Sequence, residues 1–271
     1  MNARLRTRAL SPALGVEVVG VDLTAPIETS TAEELRQLFA SRSLLLFRDQ
    51  DLTTSDQRRL VESLGAISTA LLPPVTDDNP EGNFYLSSDY ADGRGELQPH
   101  SDHCFLEQPL WGISLYAMAV PDSGGETVFS SAVAACRELP PEIVQTAVGK
   151  EAVHIYRART RLGDGIRDPS LPDELIAQHP LIWPHPATGV PVLYVNPMMT
   201  TRITGVDPAA GARLLARLLD CVTDPSVTYC HSWRKNDFIV WDNIALLHRR
   251  NNYDASHRRL MQRLQLALPA G

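Results

Sequence analysis

From Ala66 onward the chain is a succession of short extended runs, each ended within a few residues by proline, glycine or a small polar cluster. Residues 84–87, 113–120, 127–130, 152–156, 192–195, 238–241 and 259–268 read as strands of this kind. Helical signals sit mostly towards the ends. Ser30-Thr31-Ala32-Glu33 is a capping box that predicts a helix to about Arg42, and a strand follows over 43–47. Thr54-Ser55-Asp56-Gln57 repeats that logic for a helix ended by Gly65. Residues 208–221, capped by Asp207, carry leucines at 214, 215, 218 and 219 on one face. Stretches 73–95 and 163–172 read as long loops, of the kind that close over sites. Many short strands with flanking helices predict a mainly β protein, a sandwich or jelly roll.

Length and composition narrow the function. At 271 residues one large domain spanning 1–271 is expected, and 44% hydrophobic with 21% charged residues is ordinary globular composition. The longest apolar stretch, near 111–120, falls well below the roughly 20 residues a membrane helix needs. The first ten residues carry three arginines with no apolar run after them, so no signal peptide is expected. A net charge of −7 argues against a nucleic-acid partner held through phosphates. Four scattered cysteines with no CxxC pair suit reduced thiols, and a cytoplasmic location is expected.

Gln98-Pro99-His100-Ser101-Asp102-His103-Cys104 carries the chemistry. If the segment is extended, His100 and Asp102 project from one face and can take adjacent positions around a metal. A third ligand must come from elsewhere. The candidate is His248, at the end of the strand-like run 238–247. Two histidines and a carboxylate would leave three positions open on an octahedral iron(II). His103 and Cys104 with His100 also permit a zinc site, and with it a hydrolase.

The C-terminal run adds a second constraint. On a strand, Arg259, Met261, Arg263 and Gln265 share one face and Leu260, Leu264 and Leu266 the other. The leucines want the core, so the arginines look onto solvent or into a polar cavity with an anion. Arg259 and Arg263 lie about 13 Å apart along such a strand, a spacing that suits two carboxylates.

These blocks, with 14–18, 44–50, Pro121-Asp122-Ser123-Gly124-Gly125-Glu126-Thr127, His179-Pro180, Thr200-Thr201-Arg202 and Trp241-Asp242-Asn243, resemble the TauD/TfdA family of iron(II)- and 2-oxoglutarate-dependent dioxygenases over nearly the whole chain. The resemblance implies a double-stranded β-helix, a jelly-roll, cupin-like core. It implies His100, Asp102 and His248 as ligands of Fe(2+). Thr127 and Arg259 would hold the distal carboxylate of 2-oxoglutarate. With O2 as the other co-substrate, a small anionic substrate would be oxidised, chiefly hydroxylated, with release of succinate and CO2. Arg263, His103, Tyr156 and Met199 are the expected substrate contacts, under loops 72–97 and 161–171, with the inner carboxylate of 2-oxoglutarate as the alternative partner of Arg263. Three departures point away from taurine: no histidine in 67–72, Pro99 before the metal histidine, and Met199 at an aromatic lid position. Asp102 argues against a halogenating variant. Dimers or tetramers are common in the family, which leaves a homo-oligomer open. A non-catalytic jelly-roll binding protein is the remaining alternative.

Overall fold

The computed structural model describes residues 5–68, 84–89, 93–157, 174–254 and 256–269. The expected loop 163–172 and the lid 161–171 therefore lie outside the described residues, as does most of 73–95. The described part of 73–95 is not all loop: it includes a strand, Phe84–Ser87.

Two sheets build the core. The larger runs β1 (Arg6–Ala9), β2 (Val16–Val19), β3 (Leu44–Phe47), β14 (Phe238–Asp242), β6 (Gly112–Ala119), β16 (Leu260–Leu266), β4 (Phe84–Ser87). The smaller has four strands in the order β13 (Thr228–His231), β7 (Thr127–Ser131), β15 (Leu246–Arg250), β5 (Leu97–His100). Strands β8 (Glu151–Arg157), β9 (Glu174–Pro180) and β12 (Thr200–Ile203) form a third sheet, and β10 (Ile182–Pro184) pairs with β11 (Pro191–Leu193). Neighbours far apart in sequence, such as β14 beside β3 and β6, are the crossovers of a jelly roll. The mainly β expectation holds.

Alternation sorts the side chains of the large sheet. Leu45, Phe47, Tyr116, Phe238, Val240, Leu264 and Leu266 pack outward against α1 (Thr29–Arg42) and α2 (Thr54–Leu64). Leu44, Leu46, Ile113, Leu115, Ile239, Trp241 and Met261 face inward, where Phe129 and Leu246 of the smaller sheet meet them. Burial on both faces is why β3 reads as the unbroken apolar run Leu44–Phe47. It also decides the C-terminal strand. The leucines take the helix-covered face, so the arginines point between the two sheets and not into solvent.

Local boundaries differ from the sequence reading in ways that trace to caps. Helix α1 starts at Thr29 with Glu28 at its N-cap and no side-chain cap bond, so the Ser30–Glu33 box does not cap it. Ser43 is its left-handed C-cap (φ 60°), which delays β3 to Leu44. Helix α2 is capped by Thr53, not Thr54: Thr53 Oγ1 accepts from Asp56 N (3.2 Å), and Asp56 accepts from Thr53 N (2.9 Å). Two short helices, α3 (Ala132–Arg137) and α4 (Pro141–Ala147), go beyond the sequence reading. In α5 (Pro208–Val222), Asp207 accepts from Ala209 N and Ala210 N, while Leu214, Leu215 and Leu218 pack into the core around α3. Among the described residues no helix is long and apolar enough to cross a membrane.

Candidate metal centre

The smaller sheet turns one face toward the interior, and its register places the chemistry. His248 of β15 lies directly opposite His100 of β5 on one side and Phe129 of β7 on the other. Opposed residues share a face. The two imidazoles are 4.2 Å apart between ring centres, and Trp241 from the large sheet packs edge-on against His248 at 4.9 Å.

Asp102 completes the cluster, but not from a strand. Strand β5 ends at His100, and Asp102 follows in a turn, so the expected shared strand face does not form. The turn is held by Asn243, whose Oδ1 accepts from Asp102 N (2.9 Å) while its Nδ2 donates to Asp102 O (2.8 Å) and Leu110 O (3.1 Å). Nor does His248 end a run from 238. Asp242 Oδ1 accepts from Ile244 N (3.0 Å) and Ala245 N (2.9 Å), which folds a turn there and starts a new strand with His248 at its middle. The other oxygen of Asp242 takes Trp111 Nε1 (2.9 Å) and pairs with His185 Nε2 (2.9 Å). Thus one turn, Asp242–Ala245, braces both halves of the site.

The donor atoms converge. His100 Nε2 is 3.4 Å from Asp102 Oδ1, His248 Nε2 is 3.7 Å from Asp102 Oδ2, and one ligand atom from each of the three lies within 4.8 Å of the others. His100 Nδ1 sits 2.7 Å from Gln98 O; the N–H belongs there, which leaves the Nε2 lone pair for a metal. Burial opposes the charge on Asp102. The Arg263 guanidinium, 3.1 Å away, with His100 and His248, outweighs it and holds the carboxyl well below its ordinary range. Two imidazoles and an ionised carboxylate suit a divalent ion of the iron(II) type.

The bond pattern makes Asn243 testable. Asn243→Ala removes both backbone bonds to Asp102. It is expected to weaken Mn(II) or Fe(II) binding about 10- to 100-fold while β-sheet circular dichroism is retained; calorimetric titration measures the affinity.

Two residues along from the metal rung, Thr127 of β7 lies opposite His231 on β13 and Arg250 on β15. Gly124 and Gly125 (φ 77° and 69°) make the turn into β7, and a Cβ on Gly124 would lie 2.7 Å from Asn252 O. Arg259 lies just ahead of β16, only 2% exposed. Its backbone N–H donates to Ser88 Oγ (3.0 Å), and its carbonyl accepts from Ser88 N (2.8 Å). Its Nε and Nη1 have no hydrogen-bond partner among the described residues. Burial, and then the neighbouring Arg250, lowers its pKa to about 10, so it remains cationic at neutral pH. A buried cation with free donors is a place for an anion.

The other candidates are distributed around this core. Arg263 is opposite Phe84 of β4, its guanidinium carbon 5.2 Å from the ring centre. Tyr156 stacks on Phe105 (4.7 Å, 28°), and His103, at φ 58°, lies 5.8 Å from the same ring. Met199 is buried in the core, its sulfur 3.4 Å from Cys104 Sγ, and so does not form an exposed lid. Cys104 also accepts from Asn196 Nδ2 (3.4 Å). Among the described residues the cluster with metal-ligand geometry is His100, Asp102 and His248, without Cys104. The zinc arrangement through that sulfur is not formed.

A family model described as taurine catabolism dioxygenase TauD, TfdA family, matches residues 6–265. The chain belongs to the TauD/TfdA family. As a member, it is an Fe(II)- and 2-oxoglutarate-dependent dioxygenase. It is 28% identical to the (S)-phenoxypropionate/alpha-ketoglutarate dioxygenase of Sphingobium herbicidovorans, over 95% of this chain and 93% of that one. Pentalenolactone F synthase of Streptomyces avermitilis is 27% identical, over 95% and 92%. Among solved structures, AAD-2 in complex with Mn(II) and N-oxalylglycine superposes with a TM-score of 0.83 at 26% identity, covering 98% of each chain. TauD/TfdA membership accounts for the expected jelly roll. Sequence reasoning noted the Trp241-Asp242-Asn243 block of this family but not its job, the bracing of Asp102 and of the turn before His248.

Proposed function

We propose that this TauD/TfdA enzyme hydroxylates a small organic anion. His100, Asp102 and His248 hold Fe(II), Thr127 and Arg259 take the distal carboxylate of 2-oxoglutarate, and Arg263 receives the anionic group of the prime substrate. The observation that carries this is the pairing of a His-Asp-His cluster with a buried guanidinium that keeps two donor nitrogens unpartnered.

When bound, iron(II) supplies the activation of O2 that splits 2-oxoglutarate into CO2 and succinate and places one oxygen atom on the substrate. The chain provides the frame. Two residues of strand separate the Thr127 rung from the His100–His248 rung, about 7 Å. That distance matches a five-carbon dicarboxylate with its oxo-acid end at the metal rung and its far end between Thr127 and Arg259. A guanidinium fork can grip that carboxylate with two parallel bonds, which an ammonium cannot. Arg263 is steadied by Asp102 on one side and the Phe84 ring on the other, beside the His-Asp-His cluster. Phe105 with Tyr156 offers an aromatic wall, His103 a polar edge, and Met199 packs behind Cys104.

The test is direct. Anaerobic titration with Fe(II) and 2-oxoglutarate is expected to produce the weak visible band of a chelated oxo-acid. Screening carboxylates (aryloxy acids first, given the phenoxypropionate relative), sulfonates, amino acids and their conjugates is then expected to find substrate-dependent succinate. Absence of both the band and substrate-dependent succinate would sink the reading. With a substrate in hand, Arg263→Ala is expected to raise its KM roughly tenfold or more while the 2-oxoglutarate KM stays within about twofold. The opposite pattern reverses the roles of the two arginines.

None of the four cysteines is in a disulfide, which supports a reducing, cytoplasmic setting; a single domain spanning 1–271 belongs to the same reading. Dimers or tetramers belong to the same reading, and light scattering checks them.

A further inference from the structure

Beyond the residues expected to touch 2-oxoglutarate, a half-buried tryptophan stands behind the slot. Trp233 lies in the loop between β13 and β14, and its Nε1 donates to Thr127 Oγ1 at 2.9 Å. Its ring meets His231 edge-on, 4.6 Å between centres at 88°. His231 is directly opposite Thr127 in the sheet. Both nitrogens of that imidazole are engaged, Nδ1 with Tyr229 Oη (3.1 Å) and Nε2 with Asp237 Oδ2 (3.2 Å). Asp237 is in turn tied to Arg48 and to the backbone N–H of Arg234. The indole is therefore seated on a fixed base.

An indole N–H can only donate. Thr127 Oγ1 must accept from it, and this fills one lone pair and turns the hydroxyl proton away from Trp233. Thr127 is buried, and among the described residues no hydrogen-bond acceptor for that proton is found. A carboxylate oxygen entering at Thr127 would supply that acceptor.

We propose that Trp233 is a positioning residue that makes Thr127 a dedicated donor to the distal carboxylate of 2-oxoglutarate. This rests on the assignment of Thr127 and Arg259 to that carboxylate. Trp233 never touches the reacting atoms. It removes the alternative in which the Thr127 hydroxyl turns its oxygen toward the carboxylate and repels it. A charge-assisted bond then forms without first reorienting the hydroxyl.

The experiment compares two oxo-acids on Mn(II)-loaded protein by calorimetry: 2-oxoglutarate, and 2-oxopentanoate, which lacks the distal carboxylate. Trp233→Phe is expected to weaken 2-oxoglutarate roughly tenfold and 2-oxopentanoate less than about twofold, with kcat at saturating 2-oxoglutarate nearly unchanged. Trp233→His keeps a ring N–H and is expected to recover part of the loss. Combining Trp233→Phe with Thr127→Val is expected to cost no more than Thr127→Val alone. Equal weakening of both oxo-acids, additive losses, or an unchanged Trp233→Phe affinity would each overturn the role of Trp233. Thr127→Val leaves Trp233 in place, so it reads the hydroxyl even if the Phe variant does not fold. If Thr127→Val leaves 2-oxoglutarate affinity unchanged, the slot assignment itself falls.

Discussion

Asp102→Ala is expected to reduce succinate formation to background, a loss of about a thousandfold or more, with the fold retained. Asp102 is the one acidic member of the cluster, and the two imidazoles alone do not neutralise a divalent ion. Its carboxylate also holds Arg263 at 3.1 Å, so the alanine variant leaves a largely buried guanidinium without that partner. Some loss of thermal stability is therefore expected alongside the loss of turnover. Asp102→Asn separates the two effects. It keeps the shape and the backbone bonds to Asn243 but not the charge. The measurements are succinate release, metal titration and melting temperature on the same preparations. Turnover retained in Asp102→Ala would remove the metal assignment.

Arg259→Met should move binding and stability in opposite directions. Replacing the guanidinium with an apolar chain of similar reach is expected to raise the 2-oxoglutarate KM about a hundredfold, the cost of losing a desolvated charge contact. The ligand-free protein is expected to be no less stable, and more so if the thioether packs well. The sign follows from the proton. The pKa of Arg259 falls from its ordinary value to about 10 in the folded chain, chiefly through burial. The folded state thus holds that proton less tightly than the unfolded chain. Below about pH 10 the charge lowers stability by its full amount, and the penalty eases only as pH rises from there toward the ordinary guanidinium range. Melting curves with and without 2-oxoglutarate check both halves: the wild-type stabilisation by ligand should vanish in the variant. A variant that melts far lower without ligand, yet binds 2-oxoglutarate normally, would place Arg259 in the framework and not in the slot.

The chemistry of the site was legible in the sequence because few alternatives exist for side chains such as these. A guanidinium pair alternating with leucines faces solvent or a polar cavity, and the structure decides for the cavity: Leu264 and Leu266 pack under the helices, and Arg259 and Arg263 are buried. The clustering of His100 with Asp102 was likewise open to a local reading. What could not be read was geometry that depends on distant partners. Asp102 reaches the site from a turn, and the turn exists because of an amide 141 residues away. An asparagine after an aspartate signals a loop in any protein, not a clamp. Trp233 reads as core or surface until Thr127 is known to lie within reach of its N–H. The caps failed for a local reason: Thr53 and Thr54 are equally able to cap, and the contact with Asp56 chooses the first.

The two-way bond between Asn243 and the Asp102 backbone joins segments from opposite ends of the jelly roll. Chain closure over such separations comes late in folding. A polypeptide still emerging from the ribosome therefore carries His100 and Asp102 long before it can shape a nest for a metal, and redox chemistry waits until the last strands have docked.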